Sequence, residues 1–211
     1  MTAQPATIDR TEALRRARVL NVLTIGWNFI EGVVAVVAGV VAGSVSLVGF
    51  GLDSGIEVSA ALVLAWRLRQ DHAGECSQDA DRRAQRLIAI SFAALATYVG
   101  YESVMSLVNE ERPDVAVVGI VLAALSLLVM PVLARAKARL APVLGSRAAQ
   151  AEATQTDVCA WLSGALLIGL GAHAAFGWWW ADPVAALVIA GIAAWMASVT
   201  WRADSLEDTC C

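Results

Sequence analysis

The stretch Gly43–Trp66, "GSVSLVGFGLDSGIEVSAALVLAW", decides how the chain is read. It is long and apolar enough for a membrane-crossing helix, yet Asp53 and Glu57 stand in its middle. An ionised side chain at the bilayer centre costs at least about 2.5 kcal/mol on insertion scales. Such acids persist when they are protonated, face water, or are paired with a cation.

The rest of the chain repeats the pattern. Of its 211 residues 58% are hydrophobic and only 16% charged, against roughly 25% charged in soluble domains. A helix rising about 1.5 Å per residue needs about 20 residues to cross a roughly 30 Å hydrocarbon core. Six runs qualify, at 19–41, 45–66, 87–108, 115–134, 148–171 and 181–201. A soluble helical bundle would need polar faces that these runs lack. The expected fold is therefore all-α and polytopic, in one transport domain over 19–203. A short N-terminal segment (1–18) precedes it and a Cys-ended tail (204–211) follows. "MTAQPATIDRTEALRRARVL" is too polar for a cleavable secretory signal.

Charge placement orients the spans. Fourteen of the fifteen Lys and Arg fall before the first run, between the second and third, between the fourth and fifth, or after the sixth. Only Arg112 falls on the other side. The positive-inside rule then puts both termini in the cytoplasm of a cell that carries the protein in its plasma membrane. Trp178, Trp179 and Trp180 suit the opposite interface. Cys76, Cys210 and Cys211 would face the cytosol, where thiols stay reduced. Nothing in the composition points to nucleic acid; the partner expected from it is the lipid bilayer.

Six acids fall in the interior of the runs, away from their ends: Glu31, Asp53, Glu57, Glu102, Glu152 and Asp157. No Lys or Arg does, apart from Arg147 at a border, so the neutralising cation is expected from outside the protein. Asp53 and Glu57, four apart, share one helix face. In "EATQTDVC" of the fifth run, at about 100° per residue, Glu152, Gln155 and Cys159 share a face. Asp157 points about 140° away from Glu152. Asp53 and Gln155 each lie roughly 13 Å from the end at which their helix enters, so antiparallel neighbours would bring them level. Carboxylate plus thiol suits Zn²⁺, Co²⁺ or Cd²⁺ better than Mg²⁺ or Ca²⁺. Asp157 remains a competing ligand. Glu31, with Asn28 one turn before it, and Glu102 are candidate pathway residues. His72 and Cys76 in "DHAGEC", with Cys210 and Cys211, are candidates for capturing metal on the cytoplasmic side.

A weak internal repeat is visible. Gly43-Ser44 opens the second run and Gly145-Ser146 the fifth. Positions nine and thirteen after each Ser are Asp53 and Glu57 in one, Gln155 and Cys159 in the other. With three spans per half, such a repeat must be inverted in the membrane.

The six spans, the four-apart pair in "GSVSLVGFGLDSGIEV", the polar cluster in "GSRAAQAEATQTDVCAWLS" and the "ADPVAALVIAGIAAW" of the last span resemble the cation diffusion facilitator family. The resemblance implies a divalent-metal/proton antiporter, a secondary transporter rather than an enzyme, often a homodimer. It also implies a four-apart ligand pair from each of the second and fifth helices. Asp53 and Glu57 match the first pair. The second falls on Gln155 and Cys159, or, after a shift of two residues, on Ala153 and Asp157. The chain looks like a short form, without the family's usual cytoplasmic C-terminal domain and without His at the site. Two alternatives stand beside it. One is an organic-cation/proton antiporter with Glu31 inside a lining of Trp27, Phe29, Tyr98 and Tyr101. The other is a non-transporting membrane metal sensor or scaffold.

Overall fold

Gly43 is where the first hairpin turns. Its positive φ of 67° is open to glycine without a Cβ penalty. The Ser44 N–H closes back on the Gly39 carbonyl at 2.9 Å, the bond that ends a helix in a Schellman turn. Ser44 then starts the next helix, its hydroxyl accepting the Leu47 N–H at 3.2 Å. The computed structural model describes residues 10–73, 78–144 and 147–202. They form six helices: α1 (Arg10–Ala42), α2 (Val45–Ala73), α3 (Gln78–Val108), α4 (Val117–Leu144), α5 (Arg147–Phe176) and α6 (Ala181–Arg202). All six are long and apolar enough to cross a membrane, and the described residues contain no strand.

Apolar side chains such as Val22, Ile30, Val41, Leu128, Trp161 and Ile168 stand on the outer surface. In water they would be a liability; against lipid tails they are solvated. What sits inside instead is small or polar. Between α1 and α2, a Cβ on Gly51 would come within 2.9 Å of the Gly32 carbonyl oxygen and 2.7 Å of Val36 Cγ2. Only the absence of side chains lets these backbones approach so closely.

α1, α2, α4 and α5 pack around one core that includes Leu47, Phe50, Ala123, Met130, Leu162 and Leu166. α3 and α6 pair across the two halves through Phe92, Leu95, Val99, Ala186 and Ala190, and lean on α2 and α5. Exchanging α1, α2, α3 for α4, α5, α6 maps the α1–α2 contact onto α4–α5 and α2–α3 onto α5–α6. It leaves α1–α4, α2–α5 and α3–α6 in place. This is the pairing that a three-plus-three repeat requires.

One contact breaks that exchange symmetry. Asp182, fully buried at the start of α6, accepts the Ser44 hydroxyl at 2.6 Å, the Ser46 hydroxyl and the Val45 N–H at 3.0 Å. It clasps the first turn of α2 to the first turn of α6. The Asp of "ADP" is thus a cap for a helix far away in the sequence.

The apolar runs place the spans, but four helices run well past them at one end of the bundle. α1 and α3 begin earlier and α2 and α4 end later than the runs, each at the Arg-rich end of the bundle. Hydropathy marks where lipid begins, whereas backbone hydrogen bonding continues into the polar segment.

Candidate metal and proton site

The residues facing inward from α2 and α5 meet. Asp53 and Glu57 are buried, with Glu57 only 1% exposed, as are Glu152, Thr156 and Cys159 on α5. The Thr156 hydroxyl lies 2.8 Å from Glu57 Oε1, joining the two helices with no third one between them. The Cys159 thiol stands beside Glu57, within electrostatic reach of Asp53 and Glu31. Gln155 turns its Nε2 into the interior without a protein partner, and Glu57 Oε2 is likewise unpartnered. Asp157 faces outward on the opposite side of α5, as its helical angle predicts. It is not brought to the cluster. Glu102 is half-buried on α3 and lies outside this hydrogen-bonded network.

One expectation needs correcting. The runs suggest that no basic side chain reaches the intramembrane acids, with Lys137 in a loop after the fourth span. α4 instead continues to Leu144, and Lys137 is buried. Its Nζ donates to Glu152 Oε1 at 2.5 Å and to Thr156 Oγ1 at 3.0 Å. A continuous chain therefore runs Lys137, Thr156, Glu57, with Glu152 paired to the ammonium. The protein supplies its own cation to Glu152. Asp53, Glu57 and Glu31 have no such basic partner among the hydrogen bonds and ion pairs of the described residues.

Thr156 was missed because it is neither acid nor thiol. At about 40° from Glu152 on the helical wheel it belongs to the same face. Among the described residues no three His, Cys, Asp or Glu side chains stand together as a ready-made metal centre. Cys76, Cys210 and Cys211 lie outside the described residues, and so does the side chain of His72.

The aromatic lining expected for an organic cation does not form. Phe29, Tyr98 and Tyr101 are 63%, 47% and 62% exposed, turned to the outer surface. Trp27 alone stands beside Glu31.

Six long apolar helices, with inward-facing carboxylates where two antiparallel spans cross, define a multi-pass membrane protein with a polar interior. The cation efflux transmembrane domain matches the chain over residues 22–202. The chain belongs to that family, and the protein is a cation transporter. No curated protein matches it.

Proposed function

We propose that the protein exports a divalent transition metal, of the Zn²⁺, Co²⁺ or Cd²⁺ class, from the cytosol in exchange for protons. The observation that carries this reading is that Asp53, Glu57 and Cys159 are each buried on the facing sides of α2 and α5, within electrostatic reach of one another. Drawn together around an ion, two carboxylates and a thiol would be a borderline-soft donor set that hard ions match poorly. The Arg-rich end faces the cytosol, following the positive-inside rule.

In the proposed cycle the same carboxylates hold either protons or metal. Metal requires deprotonated ligands, so its arrival expels protons and their return expels metal. Asp53 and Cys159 close onto an ion bound at Glu57, with Gln155 supplying a neutral donor. Glu152 is not free to join them while Lys137 holds it, so we place it on the entry path rather than among the ligands. Asp157, facing away, takes no part. Rocking of α2 and α5 against the remaining helices would expose the cluster to each side in turn.

In proteoliposomes with an imposed pH gradient, Asp53→Ala should abolish Cd²⁺-dependent proton flux. Flux at the wild-type level would reject the assignment.

A further inference from the structure

A second group of polar side chains lies on α1, α2 and α4, and the metal cycle does not use it. Glu31 is 1% exposed, and Asn28, Ser54 and Ser126 are 0% exposed. Asn28 and Glu31, three apart on α1, share a face. The Ser54 hydroxyl lies 3.2 Å from Glu31 Oε2, and Ser126 stands beside the same carboxylate. Several atoms here have no protein partner: Glu31 Oε1, Ser126 Oγ, and both Oδ1 and Nδ2 of Asn28. The Trp27 indole N–H stands beside the same carboxylate. Leaving a polar atom buried without a partner costs about 1–3 kcal/mol, and three of these atoms, Glu31 Oε1, Asn28 Oδ1 and Ser126 Oγ, are oxygens that a cation would satisfy.

The donor set identifies its chemistry. It holds one carboxylate, one amide oxygen and two hydroxyls, with no thiol and no imidazole. All-oxygen ligation suits a hard cation. A single carboxylate neutralises one positive charge, and a divalent ion would leave a second one uncompensated in apolar surroundings. We propose that Glu31, Asn28, Ser54 and Ser126 form a second cation site, separate from the α2–α5 cluster, that takes a small hard monovalent ion of the sodium class.

The two sites are linked. Glu31 lies within electrostatic reach of Asp53 and Glu57, so cations in the two places repel. Coupling is reciprocal: sodium at Glu31 weakens divalent binding at Asp53 and Glu57, and the divalent ion weakens sodium binding equally.

The test uses the purified full chain in detergent at fixed pH and ionic strength, with choline chloride exchanged stepwise for NaCl or KCl. Thermal unfolding reads sodium binding directly, and calorimetry with Cd²⁺ reads the coupling. Sodium should raise the unfolding temperature saturably and weaken Cd²⁺ affinity by about tenfold, within the usual range of coupling. Potassium should do less. Glu31→Gln, and the milder Ser126→Ala, should reduce or remove the sodium response, and Ser126→Ala, which leaves the Glu31 charge in place, should keep Cd²⁺ binding in choline. The proposal fails if the wild-type protein shows no saturable sodium response, responds equally to potassium, or keeps its full response in both variants. The unfolding measurement needs no Cd²⁺, so it stands even if the metal assignment at Asp53 and Glu57 is wrong.

Discussion

Thr156 has one hydroxyl proton and two acceptors in reach. One is Glu57 Oε1 at 2.8 Å; the other is the Glu152 carbonyl of its own helix at 3.0 Å. A cation on Glu57 would repel that proton and turn it toward the carbonyl, so the hydroxyl can follow the state of Glu57. Lys137 fixes the other side of the same oxygen. Replacing one partner of a buried ion pair leaves an uncompensated charge, at a cost of about 3–5 kcal/mol. Lys137→Met alone should therefore lower thermal stability in detergent strongly. Lys137→Met combined with Glu152→Met should recover most of the loss, and simple addition of the two single effects would show that the pair is not coupled. The role of Lys137 was hidden in the sequence because Arg135 and Arg139 flank it like a solvated basic run. Two residues along a helix is about 200° of rotation, so those arginines are exposed while the lysine between them turns inward.

Among the helices, the closeness of α1 and α2 determines how Ser54 meets Glu31. Gly51 permits that approach, since its missing Cβ would sit 2.9 Å from the Gly32 carbonyl oxygen. Gly51→Ala should separate the two helices and destabilise the protein by about 1–3 kcal/mol, as overpacking does. Gly26, on α1, has nothing within 4 Å of its would-be Cβ. Gly26→Ala should be neutral, or stabilising by about 0.5–1 kcal/mol. Thermal unfolding of both variants checks the contrast. The helices themselves were legible from their apolar runs. Their basic-end extensions were not, because Arg-rich segments read as loop whether or not they are helical.

At the scale of the whole molecule, the arrangement of charge implies an orientation that can be measured. A single cysteine introduced at Glu110, in an otherwise cysteine-free chain, should react with a membrane-impermeant maleimide added to intact cells. One placed at Arg15 should react only after permeabilisation, and the reverse pattern would invert the proposed topology. Six spans and the facing of α2 and α5 were readable in advance, because period and depth are properties of single helices. The meeting of Glu31 with Ser126, or of α6 with the start of α2, depends on packing between helices far apart in sequence. No periodicity reports it.

The Asp182 clasp has a mechanical consequence. It anchors α2 at the Ser44 tip, through three hydrogen bonds to one carboxylate. A rod pinned at one tip swings most at the other. Asp53 and Glu57, partway along, would sweep a short arc while the Arg-rich tip of α2 travels furthest, so one small hinge would serve as the fulcrum for the whole lever.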